Sequence, residues 1–207
     1  MSFDVALTRR LGDWTLERSF TTREGLTVLF GPSGSGKTSI LNMIAGLLRP
    51  DHGRIAVDGT ILFDDDAGID IAPERRRIGY VFQDARLFPH RRVRANLLYG
   101  NRLVSPGDRW MDFDEAVSFL GIAHLLERWP RTLSGGEARR VAIGRALLAG
   151  SRSLLMDEPL TSLDQVRREE IMTVIERIRD ELNVPILYVT HDRAEADRLA
   201  NEIIALT

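Results

Sequence analysis

Apolar and polar positions change their period several times along this chain, and each change marks an element. Phe3–Thr8 and Trp14–Phe20 alternate with a period of two around Leu11-Gly12-Asp13, which predicts a hairpin. Leu26-Thr27-Val28-Leu29-Phe30 is a short, mainly apolar run, as expected of a strand buried on both faces. After Gly31–Thr38 the period becomes helical at Ile40, Leu41, Ile44, Leu47 and Leu48, with Arg49-Pro50 predicted to end the helix. Arg54–Val57 and Ile61–Phe63 around Asp58-Gly59 predict a second hairpin, and Ile78–Phe82 a strand. From Asp84 to about Gly150 strand signals vanish and helical patterns prevail, broken at Pro89, Ser105-Pro106-Gly107 and Pro130. Alternation then resumes: strand Leu154–Met156, helix near Val166–Leu182, strand Ile186–Thr190, helix Arg193–Ala200, strand Glu202–Leu206. An α/β core interrupted by a mostly helical insertion is predicted.

Composition narrows this picture only slightly. The 207 residues suit one domain with a sizeable insertion, and 43% hydrophobic with 28% charged residues is ordinary for a globular protein. A formal net charge of −2 argues against a nucleic-acid partner, and the absence of cysteine excludes disulfides, thiolate metal sites and cysteine nucleophiles. No apolar stretch approaches the ~20 residues of a spanning helix. Met1-Ser2-Phe3-Asp4 does not read as a signal peptide. If the protein works at a membrane, other chains are expected to supply the membrane part.

The candidate chemistry sits where strands end. Gly31-Pro32-Ser33-Gly34-Ser35-Gly36-Lys37-Thr38 matches G-x-x-x-x-G-K-[ST] between a strand and a helix, and Ser39 extends the set. Glycines let successive N–H groups turn inward around phosphate oxygens at a helix N-terminus. Lys37 is expected at the β- and γ-phosphates of ATP, and the Thr38 hydroxyl on Mg²⁺. Leu154-Leu155-Met156-Asp157-Glu158 places two acids at the end of a buried strand. Asp157 is expected to hold the Mg²⁺ shell through water, and Glu158 to act as general base. A glycine turn or a helix-capping acidic pair alone would mean less; their order along the chain is what counts.

Leu133-Ser134-Gly135-Gly136-Glu137 supplies a second glycine turn at a helix start. With the P-loop upstream and Asp157-Glu158 downstream, this set resembles the ATP-binding cassette (ABC) ATPases over nearly the whole chain, with Glu137 where glutamine is more usual. The resemblance implies a P-loop NTPase (RecA-like) core with an N-terminal antiparallel β subdomain, over residues 1–84 and 151–207, and a helical subdomain over 85–150 carrying the signature. It implies a head-to-tail homodimer in which Leu133–Glu137 act in trans on ATP held by the other subunit. By the same resemblance Gln83 takes the Q-loop place and meets Mg²⁺ and water. His191 becomes the switch histidine at the γ-phosphate, and Ser162-Leu163-Asp164 the D-loop at the dimer contact. An adenine-stacking aromatic is common in the family. Its slot here falls near Arg10 or Leu11, so adenine is expected either on Trp14 or in weaker apolar packing.

The run Arg75–His90, with Phe82-Gln83-Asp84-Ala85-Arg86-Leu87-Phe88-Pro89-His90, resembles the ATPases of molybdate importers (the ModC type), as does the start Leu11–Trp14. That implies an ATP-hydrolysing importer subunit for molybdate, tungstate or a related oxyanion, peripheral at the cytoplasmic face of a bacterial or archaeal plasma membrane. It would be bound to integral-membrane permease subunits and served indirectly by a periplasmic or extracellular solute-binding protein. The alternatives are an ATPase of a sulfate, iron, polyamine or sugar importer, a soluble cassette ATPase without a permease, and a catalytically silent regulator. ModC-type chains usually continue into a β-rich oxyanion-sensing domain; this sequence stops at Thr207, so no oxyanion feedback is assigned to it. The remaining clusters read as bland. Asp64–Asp66 is expected to be a solvated loop, the arginines at 75–77 and 91–94 to be solvated or in protein contact, and His52, His90 and His124 to be structural. Met111, Phe113, Val117 and Leu120 fit a helical core face.

Overall fold

The computed structural model describes residues 2–23 and 25–206. β1 (Phe3–Leu11) and β2 (Trp14–Thr21) form the first hairpin, with Leu11 opposite Trp14. Along β1, Phe3, Val5 and Leu7 are buried while Asp4 and Ala6 face solvent, the alternation of a sheet covered on one face. β4 (His52–Val57), β5 (Thr60–Asp64) and the two-residue β6 (Ile69–Asp70) complete an antiparallel sheet in the order β2-β1-β4-β5-β6. β6 carries too few residues to leave a periodic signal.

The second sheet is parallel, in the order β10-β3-β9-β8-β7. Its strands are β3 (Leu26–Phe30), β7 (Ile78–Val81), β8 (Ser153–Asp157), β9 (Ile186–Thr190) and β10 (Glu202–Ala205). Every residue of β8 and β9 is buried, because helices or the other sheet cover both faces. On one face Leu29, Leu155, Leu187 and Val189 join α1 (Lys37–Ala45) and the apolar side of the antiparallel sheet in one core. On the other, Leu154, Met156, Ile186 and Tyr188 pack with the apolar faces of α4 (Gly135–Leu148) and α5 (Gln165–Glu181). Each such buried aliphatic side chain contributes roughly 1.5–3 kcal/mol.

α1 ends earlier than Arg49-Pro50 would suggest. Gly46 takes φ 79°, its N–H bonds the carbonyls of Asn42 and Met43, and Leu47 is left exposed. Arg76 completes this cap, donating to the carbonyls of Met43 and Ile44 at 2.9 Å each, with Asp70 at 3.0 Å. It is only 5% exposed, so of solvation and protein contact, the two expectations for its run, this arginine is not solvated.

Between β7 and β8 lie α2 (Val93–Asn101), α3 (Phe113–Leu120) and α4, with no strand among the described residues. Local chemistry starts two of these helices. Asp112–Glu115 and Ser134–Glu137 are reciprocal capping boxes, each side chain accepting from the other's backbone N–H. Val117 and Leu120 of α3 are buried, as is Met111 just before it, and Phe113 packs half-buried against the same core. α5 and α6 (Arg193–Leu199) are capped by Asp164 and Asp192. No helix among the described residues is long and apolar enough to cross a membrane.

Candidate functional site

All four core loops that carry candidate residues leave the carboxyl edge of the parallel sheet, the place where open α/β sheets build sites. The loop after β3 turns through Gly34 (φ 87°) and Gly36 (φ 89°), conformations that side chains resist. At Gly34 an added Cβ would face open space, so the constraint there is conformational. At Gly36 it would also lie 2.8 Å from Leu16 Cδ1 and 3.2 Å from the Trp14 ring. Trp14, 44% exposed, therefore stands against the loop at the start of α1. The first turn of α1 has no acidic residue, so its partial positive charge is not offset locally. Lys37 is buried, and its Nζ donates to the carbonyls of Gly31 (2.8 Å) and Pro32 (2.7 Å). Burial pulls its pKa down, against the opposing pull of Glu158 and Asp157.

Thr38 reaches across to β8, its Oγ1 donating to Asp157 Oδ1 at 3.0 Å. Burial raises the Asp157 pKa, partly offset by this hydrogen bond. Tyr80 on β7 turns its hydroxyl toward Asn42 (3.1 Å) and Asp157 Oδ2 (3.4 Å), with burial raising its own pKa. Thr38, Asp157, Tyr80, Asn42 and Gln83 line one cavity of about 400 Å³. Its oxygen donors are the Asp84 and Asp157 carboxylates, the Thr38 and Tyr80 hydroxyls and the Asn42 and Gln83 carboxamides, all hard. Together with phosphate oxygens and water that fits Mg²⁺, which takes few protein ligands.

Glu158 follows in the left-handed region at φ 43°, its N–H tied to the Val189 carbonyl at 3.0 Å. Its Oε2 lies 3.2 Å from His191 Nδ1 and accepts from Thr161 Oγ1 at 3.2 Å. The loop bearing His191 is fixed from beneath. Buried Glu195 accepts from Tyr188 (2.8 Å) and Thr190 (2.7 Å), and Thr190 Oγ1 accepts from the Asp192 N–H (3.0 Å). The residues on both sides of His191 are thereby held.

The glycine turn Leu133–Glu137 is elsewhere. Ser134 and Glu137 line a separate cavity of about 500 Å³ with Arg140, Asp164, Arg167 and Glu170. Glu137 is anchored by the Ser134 N–H at 2.7 Å and Arg128 at 3.1 Å; the Ser134 backbone bond, with help from Arg128, holds its pKa down. A Cβ on Gly135 would lie 2.9 Å from Leu163, so the turn packs against the loop Ser162–Asp164 of its own chain. Ser162 has φ 66°, and Asp164 caps α5 through the Arg167 N–H at 3.0 Å. Pro32 and Ser33 are exposed and Ser35 and Ser39 half-buried along the P-loop. The chain thus brings Gly31–Ser39, Gln83, Asp157, Glu158 and His191 to one sheet edge, and groups 133–137 with 162–164 around the other cavity. Sequence reasoning missed Tyr80, Asn42, Thr161 and Glu195. Tyr80 alone left a signal, a polar-tipped residue near a strand end.

A family model described as ABC transporter matches residues 17–161. The molybdenum import ATP-binding protein ModC of Mesorhizobium japonicum is 56% identical over 206 residues, covering 100% of this chain and 56% of that one. Its namesake in Rhizobium etli is 53% identical over 207 residues, covering 100% and 58%. The chain therefore spans a little over half the length of these curated relatives. A solved dimer of an ATP-binding cassette, in a post-hydrolysis state bound to ADP and Pi, superposes with a TM-score of 0.78 at 28% identity, covering 100% of this chain and 94% of that one.

Proposed function

The chain belongs to the ABC transporter family, and from that premise we propose that it binds ATP with Mg²⁺ and hydrolyses it as the ATPase subunit of an oxyanion importer, molybdate or tungstate first. The observation that carries this reading is the convergence of Lys37, the Thr38–Asp157 contact and the Glu158–His191 pair on one sheet edge. The choice of oxyanion is supported by identity to two proteins named for molybdenum import.

In this reading the N–H groups of Gly31–Thr38 and the Lys37 ammonium bind the phosphates, and Trp14 offers its exposed ring to adenine. Lys37 gives up carbonyl partners for phosphate oxygens when it does so. Thr38, Gln83 and Asp157 would hold Mg²⁺, which would supply charge neutralisation at the phosphate oxygens. Glu158 takes a proton from a water aligned with the γ-phosphorus. The new water–phosphorus bond forms as the bond to the β-phosphate oxygen breaks, leaving ADP and inorganic phosphate. His191, oriented by the Thr190–Glu195–Asp192 bonds, faces the γ-phosphate and keeps Glu158 in place. Ser134 and Gly136 complete the site of a second copy. The two copies sit peripherally on permease subunits at the cytoplasmic face, outside any contact with the solute-binding protein. Docking falls to the segment between Gln83 and Tyr99, where Arg91 lies over both Phe88 and Tyr99.

The test is Mg²⁺-dependent phosphate release from ATP that rises faster than linearly with protein concentration, together with crosslinks from residues 84–99 in membranes. Crosslinks to a membrane protein are expected. Crosslinks confined to ribosomal proteins or nucleic acid would replace the importer with a soluble cassette ATPase.

A further inference from the structure

Two arginines of α4 are spent on backbone carbonyls rather than on carboxylates. Arg139, 5% exposed, donates from Nη1 to the Phe82 carbonyl and from Nη2 to the Gln83 carbonyl, both at 2.5 Å. Its Nε is buried without a hydrogen-bond partner among the described residues. Arg145 donates to the carbonyls of Arg86 (2.7 Å) and Ala85 (3.2 Å). Neither arginine has a carboxylate within ion-pair distance among the described residues. Burying the Arg139 guanidinium with only the longer-range charge of Asp84 to offset it is costly, so the Phe82 and Gln83 carbonyls are held at the expense of stability that an apolar residue would supply. The loop so held is itself constrained. Arg86 has φ 44°, and its guanidinium stacks 4.0 Å above the Phe82 ring, which stacks on Tyr80.

What the arginines join is specific. The loop presents Gln83 to the cavity lined by Thr38 and Asp157. α4 begins at Ser134, the cap of the second glycine turn, about 7.5 Å along the helix axis from Arg139. We propose that Arg139 and Arg145 are positioning residues that lock the 82–86 loop to α4, so that Gln83 and Ser134 move as one rigid body. The proposal rests on the ATPase reading for its consequence, but the lock itself does not.

The chain has no cysteine, so spin labels can be placed at Asp84→Cys and Ala138→Cys without removing others. Arg139→Met keeps length and helix propensity while removing both donors; Arg145→Met does so at a half-buried position. Melting midpoints verify that each variant folds. The label distance is expected to be narrow in the parent and unchanged by Mg-ATP, and to broaden in either methionine variant. Hydrolysis supplies a second readout. Misplacing Gln83 lowers kcat roughly 10- to 100-fold with KM for ATP unchanged. The same Arg139→Met change costs under about twofold in a Gln83→Ala background, because the two act as a unit. A narrow distance in every variant, or equal kcat losses in both backgrounds, would overturn the lock. If the parent released no phosphate while the distances still broadened, the lock would stand and the ATPase reading would fall.

Discussion

Glu158→Gln separates chemistry from architecture at this site. The replacement is isosteric. The Thr161 hydroxyl, 3.2 Å from Oε2, can donate to an amide oxygen as it does to the carboxylate. The left-handed backbone at φ 43° costs a glutamine the same as a glutamate, and the side chain is 17% exposed in either case. Folding stability should therefore change by no more than about 0.5 kcal/mol. Proton abstraction is lost outright, and removal of a positioned general base lowers the rate roughly 10²- to 10⁴-fold, about 3–5 kcal/mol of transition-state stabilisation. Lys37 and the P-loop are untouched, so ATP affinity should hold and a closed, ATP-loaded dimer should accumulate. Glu158→Gly is the companion variant. It relieves a left-handed cost of roughly 1–2 kcal/mol against an entropic penalty of roughly 0.5–1 kcal/mol, so stability holds or rises while the rate falls as far. Phosphate release at saturating Mg-ATP, thermal melting and size-exclusion with ATP together make the assay. A rate within threefold of the parent would refute the assignment of the base. A collapse of the melting midpoint in parallel with activity would show that Glu158 is structural.

Three further outcomes are expected. Lys37→Ala removes a charged donor aimed at phosphate and should weaken ATP binding roughly 10- to 100-fold in a direct titration; unchanged affinity would show the P-loop lysine to be energetically minor. Asp157→Asn should melt higher than the parent near pH 7 without nucleotide, because burial makes ionised Asp157 unfavourable. Its raised pKa means the folded state holds the proton more tightly, so the parent gains stability as pH falls through the folded pKa and the gap closes towards the ordinary value of 3.8. The same variant should lose the melting shift given by Mg-ATP. Gly136→Asp should fold well, since an added Cβ meets Arg167 carbons at 3.4–3.6 Å and an acid suits the first turn of α4, yet it should abolish hydrolysis while ATP binding persists. In a mixed dimer with Lys37→Ala, one intact nucleotide-trapping site should remain; none would exclude sharing in trans.

The sequence alone carried most of what depends on near neighbours along the chain, the Gly46 stop of α1 excepted. Period-two runs became β1 and β2, and apolar runs became β3, β8 and β9, because burial on one or both faces acts residue by residue. Ser134 was readable at a helix start because its capping hydrogen bonds close within four residues. The P-loop was legible because its glycines and Lys37-Thr38 must be adjacent to surround one phosphate. Tertiary structure decided what depends on distant partners. Thr38 and Asp157 meet across 119 residues and Tyr80 and Asp157 across 77, through the strand order β10-β3-β9-β8-β7, which no local pattern encodes. The partners of Arg76, Arg139 and Arg145 could not be read from the sequence because most of their acceptors are backbone carbonyls, which every residue has and no sequence advertises. An arginine's placement is set by which carbonyls the fold leaves unpaired beside it, and that is known only once the chain has folded.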